Sequence, residues 1–330
     1  MDLHISVIAD FKNLFPAIDV TDWTLSGHSW VFNKQTFYPN HINPSNWTNI
    51  NEPMIKSFQD EYDTFLSSFD GFICGHPNSF AMIFEKYNKP IVLINSCRYD
   101  MPFCFSKDVG MLEKYKECLY RLREKNLLTV VSNNRADQLY TKLGCGLDSI
   151  LIPSLCKYTG ITYLPINTTF LNYSNTQLIH PLITNKSSLG HPYKWNDISQ
   201  YKGIVHFPYE ISTMSMFEHY SARIPLFFPS KEFMLQNCPI QSLSAYWTDS
   251  EIPENLSIFK SKETWIDLAD FYHTFNSPNV YLFDSIPHLF SLLENFKWKD
   301  DSTILEDYES KIRNSWNAVI QKLGVPTNIS

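Results

Sequence analysis

Five short apolar runs, several of them stopping in small polar residues, constrain the first half of this chain more than any other feature. They cover residues 4–9, 71–74, 90–94, 127–131 and 149–152, and end in Asp10, Gly75-His76-Pro77, Asn95-Ser96, Ser132-Asn133-Asn134 and Pro153-Ser154. Between them, residues 79–88 read as a short helix and residues 135–143 as another, closed by Gly144. Continuous apolar runs alternating with helices predict a parallel sheet covered on both faces. Ligands of open α/β sheets gather at the carboxyl ends of the strands, so those polar stops are the first places to look for a site.

A second series follows a stretch rich in Asn, Thr, Ser and Pro (residues 163–199), read as an irregular junction containing one strand at 178–182. Residues 203–207 predict a strand, 215–221 a helix, 224–228 and 280–283 two further strands, and 304–323 a long amphipathic closing helix. At 330 residues the length suits two domains of about 150 residues each. The expected class is α/β, with two Rossmann-like domains facing a central cleft. Their expected limits are 1–162 and 163–303, followed by the closing helix of 304–330.

Composition excludes several classes. Hydrophobic residues at 44% exclude wholesale disorder. A net charge of −7 argues against a nucleic-acid partner, while leaving room for a local basic site for one small anion. No segment reaches the roughly 18 apolar residues of a membrane span, and the opening residues lack the pattern of a signal peptide, so the expected location is cytoplasmic. Seven scattered cysteines without a C-x-x-C pair predict reduced thiols.

The stretch most informative about chemistry is His206-Phe207-Pro208-Tyr209-Glu210-Ile211-Ser212-Thr213-Met214-Ser215-Met216-Phe217-Glu218. It reads as strand, hydroxyl-bearing turn and helix, with Glu210 and Glu218 eight positions apart. Free backbone N–H groups and the positive dipole end at such a helix start suit a phosphate group. A carboxylate one or two turns into the helix can accept hydrogen bonds from vicinal ribose hydroxyls.

This stretch resembles the donor-binding segment of GT-B glycosyltransferases, notably retaining families with an E-x7-E signature and a following Gly-x-Pro turn. Arg223-Ile224-Pro225 stands in that turn's place, keeping the proline and losing the glycine. The resemblance implies that Glu218 holds the nucleotide ribose, that Glu210 faces the donor sugar beside Tyr209, and that Ser212, Thr213 and Ser215 line the phosphates. It also implies that the helix of 304–330 packs back on the first domain, and it implies a nucleotide-sugar co-substrate, a UDP- or GDP-sugar, a carbohydrate acceptor, and no other cofactor.

The chain departs from that family in two places. The family's Gly-Gly loop is replaced by Leu25-Ser26-Gly27-His28-Ser29, and no Arg-x4-Lys pair is present. Lys186, Arg223 and Arg98 are the substitute cations. His28 is the candidate general base for an inverting reaction, because imidazole titrates near working pH. Gly27, His76, Arg98, Ser132 and Asn133 are the cleft candidates.

No D-x-D triplet occurs, which disfavours metal-dependent GT-A chemistry, and the P-loop, G-x-G-x-x-G, H-E-x-x-H and G-x-S-x-G motifs are also absent. The leading expectation is thus a metal-independent glycosyltransferase, with retention slightly favoured over inversion. A nucleotide-sugar 2-epimerase of the same architecture and a non-catalytic glycan- or partner-binding scaffold are the alternatives.

Overall fold

The computed structural model describes residues 1–26, 39–190, 193–237 and 253–323. The chain divides into two units, one of residues 1–153 with 314–330, the other of residues 154–313.

The first unit carries a four-stranded parallel sheet in the order β1 (Phe72–Cys74), β2 (Ile91–Asn95), β3 (Leu128–Ser132), β4 (Ile150–Leu151). All five residues of β2 are buried, as the continuous apolar pattern requires of a strand covered on both faces. The run at residues 4–9 is not a strand. Ile5–Leu14 forms a helix, because Val7, Ile8, Phe11, Leu14 and Phe15 recur at three- and four-residue intervals and are buried together. Asp10 therefore lies within a helix, not at a strand end. Phe11 and Phe15 meet Trp316 edge-on, at centroid distances of 5.4 and 6.2 Å, which ties residue 316 into this unit's core.

Two 16-residue helices, Glu52–Ser67 and Val109–Glu124, belong to this unit. Asn51 and Asp108 cap them, each accepting a backbone N–H three residues on. Residues 78–87, predicted as one helix, form a broken series of short turns. The helix Arg135–Cys145 begins at Asn134, whose side chain accepts the Asp137 N–H at 2.8 Å. It ends at Gly146, in the left-handed region at φ 64°, and not at Gly144. Gly144 is inside the helix, where a Cβ would stand 2.6 Å from the Tyr99 ring.

The second unit holds a five-stranded parallel sheet in the order β6-β5-β7-β8-β9. Its strands are β5 (Phe170–Asn172), β6 (Ile183–Asn185), β7 (Ile204–Val205), β8 (Leu226–Pro229) and β9 (Val280–Phe283). Two of these fall in the stretch read as an irregular junction, and the strand expected at 178–182 is instead at Ile183–Asn185. The core beneath the sheet joins Phe170, Val205, Phe227 and Phe283 to Leu289 and Leu293 of the helix Ile286–Glu294. The long helix is Ser302–Lys322, close to its expected limits.

Candidate functional site at the carboxyl edge of the second sheet

The parallel register of the second sheet sets three chain positions at one level. Asn172 at the end of β5 pairs with Asn185 at the end of β6 and with Val205 at the end of β7. The next residue on each strand is Tyr173, Lys186 and His206, so these three leave the sheet side by side at its carboxyl edge. Neighbouring strands lie about 4.8 Å apart, which brings their side chains into contact. The Lys186 ammonium is 3.9 Å from the centroid of the Tyr173 ring and 5.5 Å from that of Tyr193. The two phenol hydroxyls are joined at 3.1 Å. Ring faces carry the negative part of their quadrupole, so they hold the cation without neutralising it.

His206 lies on the inner side of this group. Its ring stacks on Phe228 at 4.9 Å and meets the edge of Tyr173 at 5.9 Å. Its Nε2 is 3.3 Å from Nδ1 of His219, which projects from the helix Met214–Ser221. Desolvation, with a smaller contribution from Lys186, pushes the His206 imidazole down to about 3. His219 is held well below its ordinary value by burial, then by His206 and Lys186. Both rings are therefore neutral at physiological pH. The His219 Nε2 is fully buried and has no hydrogen-bond partner among the described residues.

On the same helix, Glu218 is buried and accepts on both carboxylate oxygens. The Tyr158 hydroxyl donates to Oε1 at 2.5 Å and the Trp195 indole donates to Oε2 at 3.0 Å. Desolvation raises the Glu218 pKa, and the two hydrogen bonds oppose it. A carboxylate offers about four lone-pair positions, so each oxygen retains capacity for a second donor. Thr213 is the N-cap of this helix, but its side chain does not cap a backbone amide. Its hydroxyl is 3.0 Å from that of Ser215, and the first turn holds no acidic residue. Ser212, Thr213 and Ser215 are half-buried, Glu210 is buried, and Tyr209 is 63% exposed.

The helix ends in a Schellman motif. The Arg223 N–H bonds to the Tyr220 carbonyl and the Ile224 N–H to the His219 carbonyl, with Arg223 at φ 66°. Arginine thus occupies the left-handed position that glycine prefers in such a turn. Its guanidinium is engaged, at 3.0 Å, with both Asp300 and Asp301, and it donates to the Ser302 hydroxyl at 2.8 Å.

The first-unit candidates occupy different surroundings. Arg98 is fully buried and forms a two-pronged ion pair with Asp100 at 2.9 and 2.8 Å, while also donating to the Tyr140 hydroxyl. Its charge is already compensated inside the core. Ser132 bonds to the Ser149 hydroxyl at 2.7 Å, and Asn133 accepts from Asn134 at 2.9 Å. Both border a polar network centred on Asn95, which joins Asn78 and Thr141. His76, half-buried near Trp47, is pushed down to about 4 by desolvation. Gly27 and His28 lie outside the described residues.

Of the three substitute cations, Lys186 alone has no carboxylate partner among the described residues. Sequence reasoning singled out Lys186 and Glu218. It missed Tyr158, Tyr173, Tyr193 and His219, whose relevance comes from strand register and helix phase, and it assigned His206 no role. No group of three or more His, Cys, Asp or Glu among the described residues is placed to hold a metal ion. Among the same residues, no helix is long and apolar enough to cross a membrane.

No protein-family model matches the chain, and no curated protein matches it.

Proposed function

We propose that this chain is a glycosyltransferase of GT-B type that takes its sugar from a nucleotide-activated donor bound at the carboxyl edge of the second sheet. The observation that carries the reading is Lys186. It is a cation without a carboxylate partner among the described residues, held on two phenol rings at the strand level from which ligands of parallel sheets are bound. The helix Met214–Ser221, in the connection that follows β7, begins without a side-chain cap or a first-turn acid, which leaves its positive end available to an anion. Lys186 and that helix start bind the phosphate portion, with the hydroxyls of Ser212, Thr213 and Ser215 around it. Glu218 takes the ribose on its remaining lone pairs, with Trp195 and Tyr158 fixing its orientation. Glu210 faces the donor sugar, and its place favours retention of anomeric configuration. The first domain takes a carbohydrate acceptor. With no D-x-D triplet in the sequence, stabilisation of the leaving phosphate falls to these protein groups and not to a bound metal.

A thermal-shift panel of UDP, GDP, CMP, dTDP and their sugar conjugates tests the reading. A ligand at 100 times its Kd adds about 2.7 kcal/mol, a shift of a few degrees. A response to one nucleotide family is the expected result. No response from any member, with or without Mg²⁺, would remove the donor site.

A further inference from the structure

We propose that the first unit binds the alkyl chain of an amphiphile in a cavity at the amino-terminal ends of β1 and β2. The inference is independent of the donor-site reading, since every residue around the cavity belongs to the first unit.

The cavity measures about 910 Å³. Packed interiors hold few voids larger than a water molecule, whereas small-molecule pockets run from about 300 to 1,000 Å³. Its floor is made by buried side chains of five elements. They are Ile8 and Phe11 of the helix Ile5–Leu14, Leu66 of the helix Glu52–Ser67, Phe72 of β1, Val92 of β2 and Ile320 of the closing helix. Cavities with such walls take up apolar molecules in preference to water.

The hydrogen-bonding capacity of the wall is either spent or placed at the mouth. Apart from the Trp23 indole, its polar side chains among the described residues are Asp19, Thr21, Asp22, Ser68 and Asp70. Four of these are exposed, and the half-buried Asp22 is paired with Lys12 at 3.4 Å. In the backbone, the Phe72 N–H donates to the Pro90 carbonyl at 2.9 Å, and the Ile73 carbonyl accepts from the Met1 amine at 2.7 Å. The Phe69 carbonyl accepts from Lys89. None of the buried, unpartnered side-chain atoms of the described residues belongs to the lining. A ligand that fills this space thus turns an apolar body to the floor and a polar end to the mouth. The rings around it already have stacking partners, Phe72 on Phe84 at 4.3 Å and Trp23 on Phe65 at 5.3 Å. A flexible alkyl chain needs no aromatic face, which decides for it over a flat ring.

Calorimetric titration of the full chain with hexyl, octyl and decyl ethers of tetraethylene glycol, each below its micelle concentration, tests the assignment. Affinity is expected to rise about fourfold for each methylene buried, with no binding of tetraethylene glycol itself. Absence of binding by the decyl ether would overturn the proposal. A naphthyl ether bound as tightly as the octyl ether would overturn the choice of an alkyl chain. I18D and I73D, which place a carboxylate in the wall, should each weaken decyl binding by about tenfold or more. L143D, at a 43% exposed leucine of the helix Arg135–Cys145 outside the lining, should change it less than about twofold. Equal binding by wild type and both wall variants, shown to be folded by circular dichroism, would contradict the cavity as the site, as would an equal loss in L143D. A decyl ether carrying a diazirine gives a second reading on the wild-type chain. Photolabels are expected in residues 8–23, 65–73 and 320–323, and labels confined to other peptides would overturn the proposal whether or not the variants fold.

Discussion

Lys186 rests on the face of Tyr173, its ammonium 3.9 Å from the ring centroid, at the level where β5, β6 and β7 end together. The relationship is created by register. The in-register asparagines Asn172 and Asn185 also bond through their side chains at 2.8 Å, so the two following residues leave the sheet from a fixed base. A cation on an aromatic face remains available to an anion in a way that a cation beside a carboxylate does not. Arg98 and Arg223 show the contrast, one locked to Asp100 and the other to Asp300 and Asp301.

Glu218 is expected to act through the rings it holds as well as through any ligand. E218A leaves the Tyr158 hydroxyl and the Trp195 N–H without their acceptor and should cost about 1–3 kcal/mol of stability. E218Q keeps one acceptor oxygen and should cost less. Urea unfolding of the three proteins measures the order wild type, E218Q, E218A. Equal stability of E218A and wild type would contradict the hydrogen bonds described.

The turn after that helix offers a test of backbone strain. Arg223 sits at φ 66°, where glycine has no Cβ penalty. R223G and R223A remove the same ion pairs, so their difference isolates the backbone. R223G should be the more stable by about 1 kcal/mol, read as a difference in denaturant midpoint.

Asp137 makes stability depend on pH. Burial pushes its carboxyl up to about 7 from an ordinary value of 3.8, while the Asn134 side-chain amide, donating at 2.6 Å, opposes the rise. The folded chain thus keeps a proton that the unfolded chain releases above about pH 4. Its contribution to stability is full below that value and falls as pH rises towards 7. D137N retains an acceptor for Asn134 without the ionisation. Relative to wild type, it should gain stability between pH 5 and pH 7.5, by up to a few kcal/mol. A constant difference across that range would contradict a buried neutral Asp137.

The second unit should show the opposite slope through His206 and His219. Their folded values lie below the ordinary value of 6.5, so the unfolded chain takes up protons first as pH falls. Stability is therefore lost between about pH 6.5 and pH 3. Replacing both with phenylalanine should flatten that limb of the unfolding profile. An unchanged slope in the folded double variant would show that these imidazoles are not the source.

Much of the strand layout was legible because a strand covered on both faces has to be apolar throughout. β2, β3, β8 and β9 each fall within one residue or two of the run that predicted them. The helix Ile5–Leu14 was not legible as a helix, since its first residues form a continuous apolar run and the spacing that decides the matter lies in Phe11, Leu14 and Phe15. β5 and β6 were hidden by their brevity: Phe-Leu-Asn and Ile-Thr-Asn do not stand out among polar neighbours. The site was legible only in the residues with charge. Lys186 and Glu218 could be picked out by type and spacing. Tyr173, Tyr193 and Tyr158 could not, because a tyrosine becomes a cation platform or a carboxylate donor only through what the fold sets beside it.

Amine labelling shows whether Lys186 contacts a nucleotide's phosphate. The full chain is acetylated briefly with and without a saturating nucleotide, and each lysine is quantified by mass spectrometry. Strong protection of Lys186 is expected, with Lys194 and Lys299 labelled to the same extent in both samples. Labelling of Lys186 unchanged by a nucleotide shown to bind would contradict it and move the donor site elsewhere in the chain.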